Sequence, residues 1–330
     1  MNLFLTYDYE LFFGAPTGTV EKCIIEPTNL LREISKRTGA KMVFFIDTGY
    51  LKQLDKYKSQ YPKVQHEYDL VKEQIENLVQ EGHDCQLHIH PHWEDCTHDG
   101  NEWKMITDRY KLDDFSDEEI LRIILEYRDI LESWTNKPIH SYRAGGWCLQ
   151  PFNRVHEAFK KAGLRLDSTV FPGGKFTAGN YYYDFTKTPN KSTWKFSSDL
   201  CEEDDNGDFV EYPISNYQYS LWFFWRLFGL GRLQPHLHKP IGDGYPMSSP
   251  GLRKQMLTKG MNLSASVDGY FVTKLQQVVK KNAKKGFDEC VIIGHPKACT
   301  YFALKKLERF IEKNKTKHTF LTFADLDINQ

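Results

Sequence analysis

No CxxC pair occurs in the chain, and its seven cysteines (Cys23, Cys85, Cys96, Cys148, Cys201, Cys290, Cys299) are scattered and odd in number. This argues against a disulfide framework and against a zinc site built from thiolates. Scattered thiols suit a reducing compartment. A charge excess of one sign is missing too. The formal net charge is -1, which leaves no broad field to draw nucleic acid or an anionic surface. The longest apolar-aromatic run, Leu221–Trp225, is broken by Arg226 and is too short to span a bilayer. The first residues, MNLFLTYDYE, lack the basic start and long apolar stretch of a signal peptide. A strand is expected from Asn2 itself, so the expectation is a cytoplasmic protein without a cleaved leader. Internal repeats and low-complexity tracts are absent as well.

What is present is an ordinary globular composition, 40% apolar and 26% charged over 330 residues, enough chain for a sizeable core. Strands and helices are expected to alternate. Strands are expected over residues 2–9, 42–47, 85–88, 139–143, 164–170, 289–294 and 318–323. Between them, Thr28 or Asn29 is expected to cap a helix that Gly39 ends. Val71, Ile75, Leu78 and Val79 stand at helical spacing within residues 68–80. Ser116-x-x-Glu119 is a capping box that opens a helix running to about Trp134. Further helices are expected over 152–161, ended by Gly163, and over 302–312. Such alternation implies parallel strands with right-handed crossovers, in a barrel or an open sheet. From about 180 to 266 the rhythm breaks. The acidic turn at 202–207, many aromatics and Pro/Gly punctuation read there as an insertion, a β-hairpin plus an irregular arm.

Five short segments carry groups suited to chemistry. In Thr6-Tyr-Asp-Tyr-Glu10, alternation along a strand places Asp8 and Glu10 on one side and Tyr7 and Tyr9 on the other. Residues 82–93 hold four of the chain's twelve histidines: His83, His88, His90 and His92. Neutral imidazoles offer lone pairs near pH 7, and two of them with a carboxylate leave open positions on a divalent ion. Arg143-Ala-Gly-Gly-Trp147 offers backbone N–H groups that a ligand can approach closely. Asp167 precedes Ser168-Thr169, and His295 ends an apolar strand. Each segment alone has an ordinary structural explanation: a solvated strand end, a turn, a cap, a core histidine. Their order and their common place at strand ends strengthen the joint case.

Together these segments resemble the polysaccharide deacetylase family (carbohydrate esterase family 4). Thr6-Tyr-Asp-Tyr-Glu10 resembles its first motif, TFDD. Residues 82–92 resemble GHEIGNHTxxH, with the two liganding histidines falling on His88 and His92. The 143–147 loop is similar to the third motif, Asp167 to the fourth and Ile293-Gly-His295 to the fifth. Lys41-Met-Val-Phe-Phe resembles the family's second strand. The resemblance covers residues 2–175 and 288–325, and is nearest to the branch found in lipopolysaccharide and O-antigen biosynthesis. Two departures stand out: Tyr9 replaces the usual second aspartate, and the third motif lacks its proline and tyrosine.

The resemblance implies an α/β fold, a distorted (β/α)7-type barrel, as one domain over 1–330 with the aromatic-rich insertion outside it. It implies a hydrolase that removes an N-acetyl group from a nucleotide-linked or lipid-linked sugar, with no nucleic-acid partner. One divalent metal ion is implied, zinc first, with cobalt, nickel or manganese as alternatives. It would be held by His88, His92 and Glu10, or Asp8 in place of Glu10. Asp8 would then be the general base and His295 the general acid, with Arg143 orienting Asp8 and Asp167 orienting His295. An N–H near Gly145 or Gly146 would meet the oxyanion. The 221–230 run suggests peripheral contact with a membrane interface.

Three rivals stand beside this reading. His88-Ile-His90 fits the His-x-His of amidohydrolases, but follows two earlier strands, and no bridging lysine or late aspartate accompanies it. A catalytically inactive sugar-binding module would explain Tyr9. A deformylase or other small-amide hydrolase fits the same residues.

Overall fold

In a computed structural model, residues 1–247 and 251–327 are described. The architecture is α/β, as expected, with parallel strands and flanking helices in the manner of a distorted barrel. The chain forms two compact units. The first comprises Met1–Met42 and Ile214–Leu321, and the second Val43–Pro213 with the segment after Leu321.

In the first unit the strand Asn2–Tyr9 pairs in parallel with Glu289–Gly294 and with Thr319–Phe320. Both long strands are buried along nearly their whole length, as their apolar runs require in a parallel sheet. The register sets Tyr7 against Gly294. The stretch Ala265–Val267 bonds to the strand's other edge, with Val267 N–H donating to Ile293 O at 2.9 Å. Gly294 makes this fit: a Cβ there would stand 2.2 Å from a Val267 methyl and 2.9 Å from the Tyr7 ring. Helix Glu26–Thr38 is closed by Gly39 in the left-handed region, as expected. It begins earlier than Thr28, because a π-helical turn at Glu21–Ile25 feeds directly into it.

In the second unit the strand Asp84–Ile89 lies between Val43–Asp47 and Ser141–Ala144, all parallel. Beyond these come Leu166–Asp167, then Phe209–Glu211, and Trp194–Phe196 antiparallel at the edge. The Ser116 capping box forms with both of its bonds, Glu119 N–H to Ser116 Oγ and Ser116 N–H to Glu119 Oε2. The strand expected over 164–170 shrinks to two residues, because Ser168 and Thr169 spend their polar groups on side-chain bonding. The helix Thr48–Tyr57, which starts where a strand stops, was not anticipated. The helix expected over 152–161 is a turn, Phe152–Arg154, followed by His156–Ala162 and a left-handed Gly163.

The 180–266 segment is divided between the units. Its first part supplies one arm of a hairpin (Lys175–Ala178 with Tyr181–Asp184), the edge strand Trp194–Phe196 and the strand next to it, Phe209–Glu211. Its second part, in the first unit, is an antiparallel pair, Asn216–Tyr219 with Met261–Ser264, and the helix Leu221–Leu233. Ser248, Ser249 and Pro250 lie outside the described residues. No helix among the described residues is long and apolar enough to cross a membrane.

Gly294→Ala is expected to cost about 1–3 kcal/mol through overpacking against Val267 and Tyr7. A denaturant titration checks this; a midpoint equal to wild type would show that the segment yields freely.

Candidate active site

In the first unit Asp8 sits near the end of the opening strand and Glu10 just past it. Both are 5% exposed. The adjacent strand delivers His295 one residue beyond its own end. Asp268 clamps that histidine twice: His295 N–H donates to Oδ1 and Nδ1 to Oδ2, both at 2.8 Å. A carboxylate only accepts, so Nδ1 carries a proton. Nε2 then faces Asp8 Oδ2 at 3.6 Å and Glu10 Oε1 at 4.0 Å. Burial opposes a charged imidazole, but Asp268 first, then Asp8 and Glu10, outweigh it and push the pKa up to about 9. His295 is an imidazolium at neutral pH, with a proton on Nε2 to give.

Asp268 takes the orienting role expected of Asp167. The sequence offered little sign of it, since Asp268 stands two residues past the segment read as an insertion. Lys297 was missed as well. Only 8% exposed, it donates from Nζ to Leu11 O at 2.6 Å and pairs with Glu10 Oε1 at 2.8 Å. Its ammonium lies 5.0 and 4.9 Å from the Phe12 and Phe13 ring centroids, within cation–π range.

In the second unit, parallel register sets Asp47, His88 and Arg143 side by side at the strand ends. His88 Nδ1 is 2.8 Å from Arg143 O. A carbonyl cannot donate, so the proton is on Nδ1 and the lone pair is on Nε2. The His90 ring follows at 4.8 Å from that of His88, and His92 at 5.3 Å from His90. His92 is sandwiched between Tyr110, nearly parallel at 5.6 Å, and Trp93 at 5.9 Å. Trp93 is pinned in turn by Asp47, whose Oδ2 accepts from Nε1 at 2.6 Å. Backbone presses on His90 at Gly145, where a Cβ would come within 2.4 Å of Nδ1. The next two residues, Gly146 and Trp147, are both left-handed, at φ 58° and 62°. For a tryptophan that conformation is costly, and packing on Phe171 and Tyr183 holds it.

Arg143 is fully buried, with Nε donating to Ser168 O at 2.7 Å and Nη2 to Ser168 Oγ at 3.0 Å. Its guanidinium also covers the Phe45 ring at 4.2 Å. Asp167 builds the turn that does this holding, accepting from Thr169 N and Oγ1 at 3.0 and 2.7 Å. Thr169 Oγ1 in turn accepts from Ala144 N–H at 3.0 Å. Asp167 pairs in register with Glu211, which is also fully buried and was not foreseen. Burial raises both carboxyls, Glu211 well above its ordinary value with Asp167 next to it. Two adjacent carboxylates in so dry a place share a proton. Asp167 accepts two donors, so the proton belongs on Glu211.

Glu10 in the first unit and His88 and His90 in the second are all buried and are of the kinds that a metal ion takes as ligands. Imidazole nitrogen and carboxylate oxygen suit zinc, cobalt, nickel or manganese, and the fixed His88 tautomer fits a ligand role. His92, the second imidazole implied by the resemblance, stands next to this group in sequence, and His90 occupies the place between.

No family model and no curated protein matches the sequence. Solved structures do match. A protein of Mycobacterium smegmatis named as a polysaccharide deacetylase is 13% identical, covering 98% of this chain and 87% of its own, with a TM-score of 0.52. One from Pseudomonas aeruginosa PAO1, named likewise, is 12% identical over 98% and 88%, at 0.52. Puue allantoinase is 10% identical over 98% and 88%, at 0.53. The chain shares their fold. At such identities the likeness speaks for architecture, and the chemistry must be argued from the residues.

Two predictions follow from these contacts. In metal-free protein, Asp268→Asn is expected to drop the His295 pKa from about 9 toward the ordinary 6.5. Histidine NMR titration reads this, and an unchanged value would mean that Asp8 and Glu10 alone hold the proton. Glu211→Gln mimics the protonated acid. Glu211's folded-state pKa is raised, so its bound proton is fully present below the ordinary 4.5 and is lost as pH rises through the folded value. Wild type should therefore lose more stability than the variant on going from acid to alkaline pH. Parallel curves of Tm against pH would count against the shared proton.

Proposed function

We propose that the chain is a metal-dependent carbohydrate N-deacetylase. It would hydrolyse the acetamide of a nucleotide-linked or lipid-linked sugar in the cytoplasm, during lipopolysaccharide or O-antigen synthesis, with peripheral membrane contact. The observation that carries the hydrolase reading is His295, clamped by Asp268 and aimed through Nε2 at Asp8. An acid and a base then stand side by side, as amide hydrolysis needs. The named activity of the deacetylases that share the fold supports the acetamide as substrate. Seven free cysteines accord with a reducing compartment.

The proposed ligands of the ion are Glu10, His88 and His92, with His90 as the rival for the last place. A divalent ion there would lower the pKa of water toward ~7 and polarise a carbonyl. Asp8 accepts the proton of the attacking water. A backbone N–H near Gly145 or Gly146 meets the developing oxyanion, and Arg143 orients Asp8. As the C–N bond breaks, His295 Nε2 gives its proton to the leaving amine, and acetate departs. The proton collected by Asp8 can then return across the 3.6 Å to His295. Asp167 acts on this sequence only through the turn that holds Arg143.

Puue allantoinase supports a second reading, a hydrolase with allantoinase activity on the same fold. Elemental analysis of protein purified without chelator or nickel column tests the metal site. About one ion per chain is expected in wild type and almost none in His88→Ala. Of His90→Ala and His92→Ala, the variant that loses the ion identifies the second imidazole. His295→Ala should keep the metal and lose ~10²–10⁴ in turnover on N-acetyl sugars. Turnover of allantoin alone would favour the second reading. A wild type that takes up no zinc, cobalt, nickel or manganese would overturn the mechanism.

A further inference from the structure

The stretch 220–260 of the first unit is chemically unlike the rest of the chain. It contains six basic residues (Arg226, Arg232, Lys239, Arg253, Lys254, Lys259) and one acid, Asp243, whereas the whole chain sums to -1. The acid is already engaged, accepting from Thr19 N and Oγ1 at 2.7 and 2.9 Å. The stretch therefore presents a local excess of positive charge that the chain total conceals.

Helix Leu221–Leu233 buries one face. Phe223 and Phe224 pack with Tyr219, and Leu227, Phe228 and Phe271 close around them. An ordinary surface helix would turn polar residues outward. Here the outward positions are Trp222, Trp225, Arg226, Arg232 and Leu233. Trp222 is 71% exposed, Trp225 55% and Leu233 81%. They are followed by exposed Leu237, Tyr245 and Met247. The short helix Leu252–Lys259 joins the same patch: Trp225 Nε1 donates to Leu257 O at 3.2 Å, and Arg253 covers the Phe228 ring at 4.9 Å. Large apolar side chains and cations without acids among them are what the headgroup zone of an anionic bilayer accepts. Indoles settle at the interface, leucines enter the acyl boundary and guanidinium groups bind lipid phosphate.

We propose that this arm docks the protein on an anionic lipid surface, with Trp222, Trp225 and Leu233 inserted and Arg226 and Arg232 on the phosphates. The contact is peripheral. It is independent of the deacetylase reading, because plain vesicles carry no acetylated sugar.

The test is co-sedimentation of the full chain with phosphatidylcholine vesicles, with and without phosphatidylglycerol, at low and high salt. Binding is expected only with phosphatidylglycerol, falling as salt rises. Arg226→Gln/Arg232→Gln should weaken it about 30-fold. Trp222→Ala should weaken it several-fold and reduce the blue shift of tryptophan emission on binding, with Trp225 supplying what remains. Both substitutions fall on exposed positions, and circular dichroism checks that the variants fold. Absence of sedimentation with phosphatidylglycerol vesicles overturns the proposal. So does binding that neither variant changes, or a Trp222-dependent dimer without vesicle binding, which would assign the face to a second copy of the chain.

Discussion

Parallel pairing brings the C-terminal ends of neighbouring strands to one edge, and the chemistry of this chain depends on that constraint. In the first unit it sets His295 one residue past a strand whose neighbour ends at Asp8 and Glu10. In the second it lines up Asp47, His88 and Arg143 without any loop having to find them. Side chains delivered this way are fixed by the register of a buried sheet, so their placement is as firm as the core itself.

What the sheet delivers, a second layer of bonds orients. Asp268 sets the His295 tautomer and charge, and the Arg143 carbonyl sets that of His88. The Asp167 turn holds Arg143 through Ser168, and Lys297 sits on Glu10. Each of these partners comes from backbone or from a residue outside the strand ends. Two glycines let them come close enough. Gly294 admits Val267 ahead of Asp268, and Gly145 admits the His90 ring.

The strands Asn2–Tyr9 and Glu289–Gly294 were legible in the sequence to the residue, because each is an apolar run with no competing local signal. The Ser116 capping box was equally clear, since its two bonds are made within four residues. Asp268 was not legible. Its bond to His295 spans 27 positions, and an aspartate before a glycine reads as a turn. Lys297 and Glu211 carried no local signal either, since a single lysine or glutamate is ordinarily solvated and only the fold buries these two. The strand over 164–170 failed for another reason. Its apolar residues promised a longer ladder, but Ser168 and Thr169 had side-chain bonds to make that extended pairing would have denied them.

The buried Asp167–Glu211 pair also constrains how this chain can drift. One proton between two carboxyls is a joint property, so neither residue can be exchanged on its own terms. Placing a lysine at either position would bring in an ammonium with no room and no water. An apolar residue at Asp167 would release the turn beneath Arg143. Routes through sequence space that keep the turn must begin at Glu211, with a neutral hydrogen-bonding side chain, before Asp167 can change. The order in which substitutions become tolerable is thus written into the protonation of two side chains.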